Sequence, residues 1–454
     1  MARTSSILAR IADDLEQYLP EQSVLQAFRA AGHVWRERQL GPVRTLHLFI
    51  LQVLACNAAM AHLRQMAGEV FSLAAYCQAR ARLPLTALQA LLRESSAAMR
   101  AAADKAVCNQ GNPVTGLWHG LHAYLVDGSS TITPDTPDLQ QAFGQPKGCK
   151  PGCGFPVPKL LALFDAFTGM VVEMLGLPLY THEQSKMWIL HPLLKSGDLL
   201  VGDRGFCSFV HLAMLQARGV KACFRCHQRK KVVFHHGEKN RDAGADRTKR
   251  PTSEFVRRIG KYDQIVRWKR PEAMPGWMTA EQWAAMPKWL EVRELRYTLR
   301  ANGQRTHVVT IATTLLDETT YPHADMAELY GMRWRVETRF SELKTTLKMR
   351  KLKSKSAEGV LKELAVYCLV YNMVRAVTTA AGLRQKVSPE RISFIDALRW
   401  LLWTEPGAPI PNLIVNPLRP NRHEPRAIKD LQDTHRKLTK PRKELREYPE
   451  LTQR

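Results

Sequence analysis

Apolar residues recur at three- and four-residue intervals from Val24 to Phe28 and again from Leu46 to Leu54, which predicts helices there. Residues 1–115 read as helical throughout, with Arg64, Arg80, Arg82 and Arg93 on or between the segments. The apolar stretch Thr45–Leu63 contains His47, Gln52, Asn57 and His62, so it reads as a buried helix and not as a membrane span. Beyond residue 120 the pattern changes to short apolar runs closed by Asp and Gly, which look like buried strands. Two of these runs are Ala-Tyr-Leu-Val-Asp127-Gly and Leu-Leu-Val-Gly-Asp203-Arg-Gly. Leu160–Phe164 and Met170–Leu175 flank Phe167-Thr168-Gly169 and predict a hairpin. A helix is expected over Thr181–Leu194, a second over Phe209–Ala217, and a strand over Val220–Phe224. Strands, a hairpin and crossover helices together indicate an α/β sheet.

The next helical pattern that bears on chemistry begins near residue 330. The 133 residues between Asp203 and Glu337 exceed what a short αβ connection needs, so an insertion is expected over 228–306. Lys231–Phe234, Ile265–Trp268 and Leu295–Leu299 read as strands within it. After Ser356 a helix is expected over Val360–Val377, ending near Gly382. Residues 386–454 form a basic C-terminal region whose last part reads as an extended tail.

The formal charge of +24 changes the picture, because it calls for a polyanionic partner, most simply nucleic acid. Lys221–Arg270 alone holds 16 Lys and Arg against five acidic residues, enough to make binding strongly salt-dependent. No basic amphipathic anchor stands out, so a membrane partner is not expected. The opening Met-Ala-Arg-Thr-Ser-Ser leads into Asp13 and Asp14, unlike a signal peptide, and a cytoplasmic, nucleoid-associated protein is expected. Cys149-x3-Cys153 and Cys223-x2-Cys226 have spacings that suit zinc, and Cys223-Phe-Arg-Cys226-His227 matches haem attachment. Reduced thiols in a cytosolic chain are the preferred reading.

Asp127 and Asp203 close their strands where functional groups gather in open α/β sheets. Tyr330, Arg333, Glu337 and Lys344 are spaced by 3, 4 and 7 residues, which sets them along one helical face. Asp127, Asp203 and Glu337 together would make an all-oxygen site suited to Mg²⁺ or Mn²⁺. Two such ions can bracket a phosphodiester.

Y-x2-R-x3-E-x6-K after two strand-end aspartates resembles the DDE transposases of bacterial insertion sequences, in the insertion-sequence family 4 branch named for this signature. Tyr124–Ser130 is similar to that family's first-aspartate block and Val201–Phe206 to its second, and the likeness runs from Tyr76 to Val374. The resemblance implies a ribonuclease H-like catalytic core over 116–227 and 307–385. It also implies a helical N-terminal domain, 1–115, that binds the terminal inverted repeats, and a β-rich insertion over 228–306. Asp127, Asp203 and Glu337 would be catalytic and hold two Mg²⁺ ions, Mn²⁺ being the substitute. Tyr330, Arg333 and Lys344 would contact DNA, with Arg204, Arg339 and Lys348 as further DNA-binding candidates. Cut-and-paste transposition by a homodimer on paired ends and target DNA is the implied function. An inactive DNA-binding descendant and a metal-dependent nuclease are the alternatives. Some relatives place a base-stacking tryptophan on the strand before the signature helix. Here that strand, His307-Val-Val-Thr-Ile-Ala, has none, and Trp268, Trp277, Trp283 and Trp289 lie earlier.

Overall fold

The structure, a computed structural model, describes residues 20–36, 38–110, 116–227, 230, 232–234, 253–299, 307–404, 407–418, 438, 440, 441 and 444. Residues 235–252 of the basic segment expected to bind DNA, and most of the extended tail beyond 418, lie outside the described residues.

Nine strands form one sheet: β1 (His122–Ser130), β2 (Lys159–Asp165), β3 (Val171–Leu177), β4 (Asp198–Gly202), β5 (Lys221–Arg225), β6 (Ser253–Gly260), β7 (Asp263–Lys269), β8 (Trp289–Leu299) and β9 (His307–Thr313). Their order is β3-β2-β1-β4-β5-β9-β8-β7-β6. β1, β4 and β5 run parallel, while β1-β2-β3 and the pairs from β5 outward are antiparallel. The strands expected between Asp203 and Glu337 therefore continue the same sheet through the β5–β9 pair instead of starting another. Bidentate Asp263–Arg293 bonds of 2.9 and 2.6 Å join β7 to β8 with both side chains buried. Of Lys231–Phe234, expected as a strand, residues 232–234 are described and have no ladder partner among the described residues. Their carbonyls accept from side chains instead, Val232 from Arg296 and Val233 from Gln264.

Alternating strand residues feed two cores. Leu125 packs with the N-terminal helices and with the helix Ala357–Arg384, whereas Val126 packs with Phe209–Ala217 and Met187. The helix Ala357–Arg384, capped by Ser356, is long and apolar enough to cross a membrane, but 89% of that window is buried inside the protein. It is the central core helix of this fold.

Two helix expectations change. Thr45–Leu63 is interrupted: one helix ends at Leu54, the next starts at Met60, and Cys56 and Asn57 between them take φ of 57° and 58°. Asparagine tolerates that region, and the amide of Asn57 donates to Glu363 at 2.7 Å, docking the break on the core helix. Thr181–Leu194 forms two 3-10 turns, Glu183–Ile189 and His191–Leu193, and Pro192, which has no N–H, stands in the first turn of the second.

Candidate active site

The register of β1 and β4 decides where the two aspartates stand. Their last parallel pair is Val126 with Gly202, so Asp127 and Asp203 are the next residue on each chain. The strands part there. β1 was expected to stop at Asp127, but it runs on to Ser130 paired with β2, while the chain leaves β4 at once. Gly202 is required at this point: a Cβ would lie 2.8 Å from Val126 and 3.1 Å from Phe224.

The signature segment is helical with changes of pitch. It is α over His323–Gly331, 3-10 over Met332–Trp334, α over Arg335–Ser341 and π over Glu342–Thr346. A π turn in a helix is uncommon and is frequent at functional sites. Just beyond it the chain lies beside the end of β1, with Thr131 Oγ1 donating to the Met349 carbonyl at 2.8 Å and Leu352 N to Ile132 O at 3.0 Å.

This packing brings the signature to the aspartates. Tyr330 donates from its hydroxyl to Asp203 Oδ1 at 3.2 Å. Arg333 reaches Asp127 Oδ2 at 3.2 Å and Glu337 Oε1 at 3.3 Å, with its guanidinium 4.6 Å from the Trp334 ring centroid. Lys344 donates to Ser129 Oγ at 2.5 Å, two residues beyond Asp127. Arg204 and Lys348 are exposed. A fourth carboxylate, Glu183, lies against Gly128. In the sequence it was the start of an expected helix and nothing marked it.

Two of the residues expected to contact DNA are buried. Tyr330 is 1% exposed, and its hydroxyl donates to Asp203. Arg339 is fully buried, donating to the carbonyls of Asp165 and Ala166 and to Glu390 at 2.5 Å. Six residues from Arg333 is about 120° away around the helix, which turns Arg339 into the core.

Burial pushes the Asp127 carboxyl up to about 6; the charges of Asp203 and Glu183 add to this, while the Gly128 N–H and Arg333 oppose it. The sign follows: a raised folded pKa favours the fold below the ordinary aspartate pKa, and that contribution is lost as pH rises through about 6. The Asp127→Asn variant is therefore expected to melt at a higher temperature than the parent at pH 7.5 without divalent ions. The gain, of order 1–2 kcal/mol, should shrink toward pH 4 in thermal unfolding.

The donor set suits a hard divalent cation, being three carboxylates whose charge is only partly met by Arg333. Among the described residues no three His, Cys, Asp or Glu side chains stand close enough to chelate one ion. The Arg333 guanidinium bridges Asp127 and Glu337, at distances longer than the 2.7–2.9 Å typical of charge-assisted bonds. Among the described residues Cys149, Cys153, Cys223 and Cys226 form no zinc-holding group: Cys149 is exposed, while Cys223 and Cys226 are buried. Trp268 is buried, with its indole N–H on Glu294 at 2.9 Å, and Trp277 stacks on His211.

Residues 118–373 match the family described as "Transposase DDE domain". The chain is 25% identical over 336 residues to the transposase InsG for insertion sequence element IS4 of Escherichia coli (strain K12), covering 69% of each protein. A solved structure, the piggyBac transposase synaptic complex with hairpin DNA, aligns over 88% of this chain and 80% of its own, with 10% identity and a TM-score of 0.40. The family match spans more than half of the 454 residues and includes Asp127, Asp203 and the whole signature helix: the chain belongs to the DDE-domain transposases.

Proposed function

We propose that Asp127, Asp203 and Glu337 are the catalytic carboxylates of a ribonuclease H-like core formed by β3-β2-β1-β4-β5 and the signature helix. The enzyme is a DDE transposase acting on DNA, and enzymes of this family use divalent metal ions. Two Mg²⁺ ions, or Mn²⁺, are assigned to these three residues. Such ions, when bound, neutralise the scissile phosphate and ease loss of a proton from the attacking hydroxyl.

The protein's own groups do the rest. Arg333, held between Asp127 and Glu337, exchanges a carboxylate for a phosphate oxygen when DNA and cations arrive, using its two-pronged fork. Tyr330 keeps Asp203 oriented through its hydroxyl. Lys344, beside β1, meets a phosphate near the cleaved end, and exposed Arg204 and Lys348 track the flanking backbone. The N-terminal helical region, 1–115, recognises the terminal inverted repeats. Two copies act on paired ends, in the cytoplasm on nucleoid DNA, and join them to target DNA.

The observation that supports this most is the register of β1 and β4, which sets Asp127 beside Asp203 under a helix whose Tyr330 and Arg333 bond to both. Strand transfer on a supercoiled plasmid bearing the element's ends, with Mg²⁺, tests it. Joined products that vanish in Asp127→Ala are expected. Nicked DNA without joining would support a nuclease, and binding without cutting an inactive descendant.

A further inference from the structure

Past the π turn, residues 348–355 read Lys-Met-Arg-Lys-Leu-Lys-Ser-Lys, five cations and no acid, on the way from the signature helix to the core helix. Their side chains sort by position. Met349, Leu352 and Ser354 are buried, while Lys348, Arg350, Lys351, Lys353 and Lys355 are exposed. From Lys351 to Lys355 the alternation is strict, as in a strand with one face on the protein.

A charge run that only stays in water needs no fixed backbone, and this one is held along its length. Ile132 N donates to Arg350 O at 3.1 Å, Leu352 N to Ile132 O at 3.0 Å and Thr136 Oγ1 to Lys355 O at 2.9 Å. The buried Glu363 carboxylate accepts from Lys353 N at 3.0 Å and from Ser354 N at 2.8 Å. Glu363 also accepts from Asn57, and the Lys353 ammonium donates to the Asn57 carbonyl, so the strap is tied to the N-terminal helices. At its other end Arg350 N donates at 3.2 Å to the carbonyl of Lys344, the residue that bonds to Ser129 beside the active site. Lys348 takes φ of 64°, a left-handed conformation that glycine adopts without strain and lysine rarely does. Among the described residues Lys348, Arg350 and Lys355 have no ion pair, so the protein itself does not use their charges.

We propose that residues 348–355 are a cationic rail that binds the phosphates of one DNA strand between the active site and the N-terminal helical region, with Lys348, Arg350 and Lys355 each meeting a phosphate. This rests on the reading of the carboxylate site as one that acts on DNA. A membrane surface does not fit, because an interfacial segment buries apolar side chains in lipid and here Met349 and Leu352 are buried in the protein. Eight residues reach at most about 26 Å, the length of about eight nucleotides of one strand. Contacts of this kind set the position of the strand and do not read its sequence.

The test is fluorescence anisotropy of the full chain with a labelled duplex of the element's own end, without divalent ions, over a KCl series. The parent is compared with Lys348→Gly and with a triple variant carrying Lys348→Gln, Arg350→Gln and Lys355→Gln. Lys348→Gly is expected to lower the slope of log affinity against log salt by about one, and the triple variant by about three, with at least about tenfold weaker binding near physiological salt. Lys348→Gly should melt no lower than the parent, because glycine relieves the left-handed φ, so its weaker binding is not a folding defect. Uncharged methylphosphonate linkages within about eight nucleotides of the cleaved bond should weaken the parent and leave the triple variant unmoved. A triple variant with the parent's affinity and slope would overturn the proposal and leave the carboxylate site as assigned. Weaker binding with an unchanged slope would overturn it too, since no phosphate contact was lost. If the parent binds no DNA, the DNA reading falls and this proposal with it.

Discussion

Asp203→Asn is expected to lower strand cleavage by at least about 10³-fold and leave binding to the element's ends nearly unchanged. Asp203 directly follows Gly202 at the end of β4 and accepts the Tyr330 hydroxyl at 3.2 Å. Asparagine keeps the shape and can still accept from Tyr330, so the local fold is preserved. What it loses is the negative charge that the assigned cations require. Cleavage of labelled ends in Mg²⁺, run beside a mobility-shift assay, separates the two effects. An Asn variant that cuts at the parent rate would remove Asp203 from the site; one that also fails to bind would point to a folding defect.

The second large effect is expected at Glu390. Its Oε1 accepts from Arg339 at 2.5 Å and from Arg375 at 3.1 Å, and both arginines are essentially inaccessible. Arg375 also donates to Thr168 O, and Arg339 to the carbonyls of Asp165 and Ala166. One carboxylate thus bridges the two guanidiniums that tie the signature helix and the core helix to the β2–β3 turn, with Glu342 a second, longer partner of Arg375 at 3.9 Å. Glu390→Ala leaves both buried charges without it, and a loss of about 3–5 kcal/mol is expected.

The acid limb provides a check of mechanism. Burial works against ionisation of Glu390, but Arg339, Arg375 and Arg335 overcome it and hold the carboxyl at about 2. A depressed folded pKa gives stability that is complete above the ordinary glutamate pKa and is lost as pH falls through about 2. The gap in unfolding free energy between the parent and Glu390→Gln should therefore be widest near neutral pH and narrow below about pH 4.3. Denaturant unfolding at pH 7.5 and pH 3 measures it; an equal gap at both would show that the ion pairs contribute nothing.

The site was legible where local rules suffice. The apolar runs ending at Asp127 and Asp203 forecast strands because a buried strand in a parallel sheet is apolar on both faces. The 3-4-7 spacing placed Tyr330, Arg333, Glu337 and Lys344 on one side of a helix, and the pitch changes at Met332 and Glu342 did not scatter them. The same periodicity argues against Arg339, which was counted among DNA contacts for its charge when its position already turned it inward. For Tyr330 the face was legible and the Asp203 contact was not: nothing in a sequence says that the two side chains meet.

Residue order alone determined the apolar strands leading to Asp127 and Asp203, the signature-helix face, the basic character and the family signature, since these depend on neighbours a few positions apart and on composition. Tertiary structure decided everything that joins distant segments. The β1–β4 register puts Asp127 next to Asp203, the β5–β9 pair makes the inserted strands an extension of one sheet, and the space at Gly128 admits Glu183. These depend on which backbones hydrogen-bond and which side chains fit a given gap, and both are set only once the two cores have packed against the sheet.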